Sequence, residues 1–292
     1  MKFGRIDASE LEGADISLPA DHPGNDKILP GKRPSDTKIY VGCAKWGRKE
    51  WVGNLYPEGT KEKDFLHLYI QHFNSIELNS TFYNLKKSNI ENWSEVAQGS
   101  SFTYCPKVSR RVSHLKRLKD CDENIQYFVD MCLLLGDNLG LPFLQLPENF
   151  TVKYMDRIDH FLSALPAGFP MAVEVRHQSW FEGDAFDEYF SLLKEKNASP
   201  VITDNIGRRD VIHQRLTNDR VFIRFNGYEG HPSDEIRIKQ WAERISSWIT
   251  KGLKEVYFFA HQPNEKYTPK TAASFIEKIN ALTGLGLKSP IA

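Results

Sequence analysis

The chain has 292 residues, 40% of them hydrophobic and 26% charged, a balance that fits a water-soluble globular protein and excludes a disordered or fibrous one. Lys+Arg and Asp+Glu balance at 38 each, which excludes the global basic field of a dedicated nucleic-acid binder, so any attraction for anions has to be local. No segment approaches the roughly 20 apolar residues that cross a bilayer, and the start MKFGRIDASELEG lacks an apolar run behind its positive charge, so a cytoplasmic protein with no membrane contact is expected.

Residues 1–37 carry Pro19, Pro23, Pro30 and Pro34 without a sustained apolar period, and read as an irregular N-terminal extension. From Ile39 short β-branched or apolar runs alternate with amphipathic stretches, the pattern of βα units around a parallel sheet. Strands are expected at 39–43, 74–78, 102–106, 140–146, 170–175, 199–203, 221–225 and 255–260. Helical spacing of apolar residues appears between them. Phe65, Leu68, Tyr69 and His72 share one face, as do Ile125, Phe128, Val129 and Cys132; Tyr154, Ile158, Phe161 and Leu162; and Ile238, Trp241, Ile245, Trp248 and Ile249. Ser88 and Glu91 have capping-box spacing before Trp93, and Phe275, Ile276, Ile279 and Leu282 lead to a helix stop at Gly284.

Eight strands with interleaved helices predict an α/β chain folded as a single-domain TIM (β/α)8 barrel over 38–285, with a tail at 286–292. The segment 205–219 is short and polar, so the helix between strands six and seven is expected to be abbreviated or missing, and an open doubly wound sheet is the alternative fold. Cys43, Cys105, Cys121 and Cys132 form no C-x-x-C pair and read as reduced thiols; Cys43 and Cys105, near strand ends, are assigned to packing.

In a parallel barrel alternate residues point inward, and those at strand C-termini face the pocket. In Ile76-Glu77-Leu78-Asn79 the apolar residues share one face, Glu77 and Asn79 the other. Glu174 and Arg176 oppose Val173 and Val175; Arg224 and Asn226 oppose Val221, Ile223 and Phe225; Gln145 opposes Leu144 and Leu146; and Asp204 ends strand six. Buried charges are costly unless paired, so their convergence on one rim predicts either a prepared polar site or an ion-pair network closing the barrel top. Lys107 ends strand three, ahead of Arg110, Arg111, Lys116 and Arg117, and Arg208 and Arg209 follow strand six. Guanidinium forks suit phosphate or carboxylate. Trp46, Tyr83 and Trp180 are candidates to flank a sugar or base, and His177 and His261 to transfer protons. No zinc or nucleotide motif is present, and no cofactor is predicted. An oxygen-rich divalent-cation site of Glu77, Glu174, Asp204 and His261 stays open.

The strings Ile76 to Tyr83, Phe143-Leu144-Gln145-Leu146-Pro147 and Val173 to Phe181 resemble hallmark segments of the domain-of-unknown-function-72, or YecE-like, family, over about Ile39 to Leu282. The resemblance implies a TIM barrel with a pocket lined by Glu77, Asn79, Tyr83, Lys107, Gln145, Glu174, Arg176, Trp180, Asp204 and Arg224. It implies no established reaction. The chain departs from the family pattern at Ala44-Lys45-Trp46, where Ser-Gly-Trp is usual, and at Ala260-His261-Gln262, where strand eight usually ends Asn-rich.

These observations predict an enzyme performing acid–base hydrolysis on a phosphorylated sugar, nucleotide or nucleic-acid fragment. Glu77 and Glu174 would be the proton-transfer pair and Asp204 would tune a cation. Lys107, Arg176 and Arg224 would hold the anion; Asn79, Gln145 and Asn226 would orient the substrate. The alternatives are a glycosidase on neutral sugars, which would need its two carboxyls facing open space, and a non-enzymatic nucleic-acid binder using 107–119. Oligomeric state is left open.

Overall fold

The structure is a computed structural model that describes residues 4, 6–11 and 13–291. All eight expected strands are present: β1 Lys38–Cys43, β2 Ser75–Leu78, β3 Thr103–Pro106, β4 Phe143–Gln145, β5 Ala172–Glu174, β6 Ser199–Asp204, β7 Arg220–Asn226 and β8 Glu255–His261. Strands β4 and β5 have three residues each, shorter than their apolar runs. The helices are α1 Ala8–Leu11, α2 Phe65–His72, α3 Ser80–Tyr83, α4 Lys87–Ala97, α5 Asp122–Leu133, α6 Met155–Ser163, α7 Gly183–Glu195, α8 Pro232–Lys251 and α9 Thr268–Thr283. Between β6 and β7 the connection is a 3-10 segment, Ile206–Val211, which matches the polar, aperiodic sequence there.

Strand pairing is parallel throughout, in the order β1-β8-β7-β6-β5-β4, with β2-β3 as a separate pair. Both gaps in that order are bridged. At the β3–β4 seam Gly140 N–H donates to the Tyr104 carbonyl (2.8 Å) and Val108 N–H to the Phe143 carbonyl (2.9 Å). At the β1–β2 seam side chains replace backbone bonds. Val41 N–H donates to Asn74 Oδ1 (2.7 Å) and Asn74 Nδ2 to the Ile39 carbonyl (2.8 Å), while the Tyr69 hydroxyl accepts from Cys43 N–H and donates to the Ser75 carbonyl. Gly42 is required here, because a Cβ would collide with that Ser75 carbonyl.

The period-2 split sorts the core as the sequence predicts. Outward Ile76, Leu78, Val221, Ile223 and Phe225 join Ile238, Trp241, Ile245 and Trp248 of α8 and Phe275 of α9 in one apolar layer. Leu144, Leu146, Val173 and Val175 join Ile125, Phe128, Ile158, Phe161 and Phe190 in another. A smaller cluster of Cys105, Phe143, Val201, Phe222, Tyr257 and Phe259 fills the inner face below the polar strand ends.

Two local expectations are corrected. Ser88 does not cap α4: the helix begins one residue before it, Lys86 is the flanking residue, and no side-chain cap forms, so the Ser88–Glu91 spacing is incidental. The N-terminal extension is only partly irregular, since it contains α1 and a 3-10 turn at Pro23–Lys27. It is tied along α8 by Leu18 N–H to Gln240 Oε1 (3.1 Å), Arg244 to the Pro19 carbonyl (3.0 Å) and Trp248 Nε1 to Asp21 (2.9 Å). The Gly284 stop holds, with φ 70° just past α9. The tail turns back beside α2, where His72 Nδ1 meets the Pro290 carbonyl at 2.8 Å.

Candidate functional site

The inward residues at the C-terminal ends of β2, β4, β5 and β7, with Lys107 just past β3, form one buried network. Arg224 is its hub: Nε and Nη2 donate to Glu77 Oε2 and Oε1, both at 2.8 Å, and Nη1 donates to Glu174 Oε2 at 3.0 Å. Arg176 Nε donates to Glu174 Oε1 (2.5 Å). Gln145 links the next strand, its Nε2 donating to Glu174 Oε2 (2.9 Å) while its Oε1 accepts from Lys107 Nζ (2.6 Å). Asn79 Nδ2 donates to Glu77 Oε1 (2.8 Å), and His261 Nε2 lies 2.9 Å from Glu77 Oε2.

Exposure of Glu77, Lys107, Gln145, Glu174, Arg176 and Arg224 is 0–6%, so these charges survive by mutual pairing. Burial by itself would raise the Glu77 carboxyl, but Arg224 and then His261 outweigh it and hold it well below the usual carboxylate range. Burial likewise opposes ionisation of Glu174, and Arg176 and Arg224 overcome it, bringing its pKa to about 2. For Lys107 the balance runs the other way: burial, reinforced by the Arg224 charge, lowers the amine to about 7 against the partial support of Glu77 and Glu174.

Beside this network lies a cavity of about 660 Å³, lined by Asn205, Asn226, Tyr228, His261 and Gln262 on one side and by Ile6, Asp7 and Glu10 of the N-terminal extension on the other. The extension is seated there by the Tyr228 hydroxyl, 3.4 Å from the Ile6 carbonyl, and by Gly207, where a Cβ would strike the Gly4 carbonyl and Ile6. His261 belongs to both network and cavity. Sequence reading missed Asn205, Tyr228, Gln262 and the extension's contribution. Asn205 and Gln262 each follow a strand-end residue that was singled out, whereas nothing marks Gly4, Ile6, Asp7 and Glu10 as a wall.

Several expected site residues are placed elsewhere. Asp204 faces α8, fully buried, and accepts from Arg209 (2.6 Å), Arg237 (3.0 Å) and Trp241 Nε1 (2.7 Å). The reason is parity: Val201 is inward and Ile202 outward, so Asp204 shares the outward face. Trp180 is a core residue, its Nε1 donating to the Phe150 carbonyl (2.6 Å) and its ring stacked on Phe150. Trp46 packs edge-on against Trp93, and His177 caps a short 3-10 turn by accepting from Ser179 N–H (3.1 Å). Tyr83 stands 73% exposed on α3, and Asn226 Nδ2 reaches the Asp204 and Arg224 carbonyls while lining the cavity. The basic run after β3 is partly structural: Arg117 lies over the Phe150 and Tyr154 rings and donates to Asn149.

The divalent-cation set of Glu77, Glu174, Asp204 and His261 therefore does not converge, because Asp204 points to the other side of the sheet and both glutamates are claimed by arginines. Among the described residues no group of three or more His, Cys, Asp or Glu side chains is arranged to hold a metal. The same geometry counts heavily against the glycosidase reading. Its carboxyls need open space, and one of them a raised pKa, whereas both are buried and held ionised.

A parallel α/β sheet with a buried, charge-paired cluster at its strand C-termini and a polar cavity beside it is the class of protein these features define. The model of a protein family described as "Protein of unknown function DUF72" matches residues 40–290, and the chain belongs to that family. It is 27% identical over 261 residues to the UPF0759 protein YecE of Escherichia coli K12, covering 82% of this chain and 92% of that one. The similarity to the UPF0759 protein YunF of Bacillus subtilis 168 is 24% over 205 residues, covering 65% and 70%. Crystal structures of DUF72 family proteins share the fold. One from Thermotoga maritima superposes with a TM-score of 0.65 at 22% identity over 84% of this chain and 98% of its own. One from Enterococcus faecalis gives 0.62 at 17%, over 86% and 99%.

Proposed function

We propose that residues 38–285 form one closed (β/α)8 barrel, and that the protein is an enzyme hydrolysing a small, hydroxyl-rich substrate with an anionic group, such as a phosphorylated sugar, a nucleotide or a nucleic-acid fragment. Closure is supported by the bonds that cross both seams, between β1 and β2 and between β3 and β4.

The observation that carries the functional reading is the 2.9 Å pair of His261 Nε2 and Glu77 Oε2 on the wall of the 660 Å³ cavity. An ionised Glu77 can only accept, so His261 donates Nε2–H to it, and in the tautomer that acts as a base Nδ1 holds the lone pair. Glu77 is then the orienting carboxylate rather than the proton-transfer group, and the imidazole activates water, as in other carboxylate–histidine pairs. Asn226 and Asn205 offer amides to substrate hydroxyls. The guanidinium forks of Arg176 and Arg224 at the strand ends suit an anionic group at the network's edge.

The test is a thermal-shift panel of phosphorylated sugars, nucleotides, short DNA and neutral oligosaccharides, followed by turnover with whichever ligand raises the melting temperature. His261→Asn should retain the shift and lose about two orders of magnitude or more in rate. Stabilisation by neutral sugars alone, or an unchanged rate in His261→Asn, would overturn the reading. Among the described residues no helix is long and apolar enough to cross a membrane, in keeping with a substrate met in water.

A further inference from the structure

Lys107 has no part in the proton transfer just described, and its surroundings are unusual for a lysine. It stands immediately after β3 with 2% exposure, its nitrogen 4.5 Å from the centroid of the Phe82 ring and 5.7 Å from that of Phe143. Among the described residues its hydrogen-bond partner is a neutral amide, Gln145 Oε1, and no carboxylate lies within ion-pair distance. That amide cannot turn over, because its Nε2 is spent on Glu174. Gln145 therefore asks Lys107 for one N–H and nothing more. A neutral amine satisfies this and keeps its lone pair, whereas an ammonium would bring two further N–H groups that meet the ring faces of Phe82 and Phe143 in place of oxygen acceptors, a weaker compensation.

The charged groups facing this amine come from every neighbouring element. Glu77 on β2, Glu174 and Arg176 at the end of β5, and Arg224 on β7 all act on it, and burial with Arg224 prevails, lowering it to about 7. His114, on the segment after β3, is itself lowered to about 4, by burial first and then by Lys107 and Arg176, and adds no charge near neutrality.

The segment packed on Phe82 has unusual backbone. Phe82 meets the His114 ring edge-on at 5.0 Å, and His114 belongs to a single π-helical turn, Arg111–Leu115. Arg117, Leu118 and Asp120 follow in left-handed conformations, at φ 51°, 61° and 47°. A π-turn and three strained non-glycine residues in ten positions are features that concentrate at working sites.

We propose that Lys107 is a nucleophilic amine that forms an imine with an aldehyde or ketone carrying a carboxylate or phosphate. The nitrogen lone pair attacks the carbonyl carbon and the C=O π pair moves to oxygen, which takes the proton the nitrogen sheds. The carbinolamine hydroxyl then leaves as water with one proton taken from solvent, giving a protonated C=N bond. Arg176 and the exposed Arg110, whose charges both act on His114 beside Phe82, match the anionic group. The inference goes beyond the hydrolytic reading and does not rest on it.

The experiment uses the full chain with glyoxylate, pyruvate or glycolaldehyde phosphate, and cyanoborohydride as the hydride donor that reduces the imine to a stable secondary amine. Peptide mass spectrometry then reads the modified lysines. At pH 7 an amine with a pKa near 7 is about a thousandfold richer in neutral form than a surface lysine near 10.4. Lys107 should be labelled at least roughly tenfold faster than any exposed lysine by at least one probe, with half-maximal rate near pH 7. Labelling confined to exposed lysines, or a Lys107 midpoint above pH 9, would overturn the proposal. Because adducts are read without turnover, that failure is distinguishable from failure of the His261–Glu77 reading.

Discussion

Replacing Lys107 with Met tests the electrostatics of the strand-end network through stability alone. In the unfolded chain a lysine titrates near 10.4, and in the folded protein burial and the Arg224 charge bring Lys107 to about 7. The folded pKa is thus lowered, so between these values the unfolded state binds the extra proton. Stability then rises with pH across this window, and the cost of burying the ammonium is fully present below pH 7. From pH 6 to pH 9 the gain is about 2 pH units at 1.36 kcal/mol each, or roughly 2.7 kcal/mol. Lys107→Met removes that gain. It also strands Gln145 Oε1, at a cost of about 1–3 kcal/mol that does not vary with pH and cancels in the comparison. Urea unfolding of both proteins at pH 6 and pH 9 should show the wild type gaining about 2.7 kcal/mol relative to the variant. A difference that stays flat would mean that Lys107 titrates as an ordinary lysine, and the account of its niche would be wrong.

Glu174 gives the opposite sign, since its folded pKa is lowered to about 2 from an unfolded value near 4.3: its contribution is complete above about pH 5 and drains away as pH falls toward 2. Comparing acid unfolding of wild type with Glu174→Gln should show the wild type losing about 3 kcal/mol more over that interval, and parallel acid transitions would count against the arginine pairing. Asp204→Asn should destabilise by about 2 kcal/mol, because it discharges one of the two carboxylates paired with the fully buried Arg237, Asp234 being the other, yet should leave ligand-induced thermal shifts unchanged; a lost shift at full stability would return Asp204 to the site.

How much of this was legible in the sequence can be argued residue by residue. The strands were readable because an inner face that is apolar below and charged at its end alternates cleanly with an outer face that meets helices. Val221, Ile223 and Phe225 against Phe222 and Arg224 is the clearest case. The same rule, applied strictly, places Asp204 outward with Ile202; the residue was assigned by its charge and its position at a strand end instead. Trp180 was misplaced for a related reason: an aromatic after a strand can serve a pocket or a core, and only the Phe150 carbonyl and the Tyr189 ring settle which. The glutamate–arginine pairing was visible as a possibility from convergence alone. Its consequence, that neither glutamate is available as an acid, depends on Arg224 reaching both, and side-chain reach across the sheet leaves no trace in spacing. The share of Gly4, Ile6, Asp7 and Glu10 in the cavity wall was invisible, since contact between distant segments has no periodicity.

That last feature bears on how relatives can be used. The family match begins at residue 40, so the charged network lies inside the shared region while one wall of the neighbouring cavity lies outside it. A protein trimmed to the matched residues would keep Glu77, Lys107, Glu174, Arg176, Arg224 and His261 but have a wider, less acidic mouth. Chemistry that survives the trimming rests on the matched region alone, and selectivity that disappears with it rests on the extension.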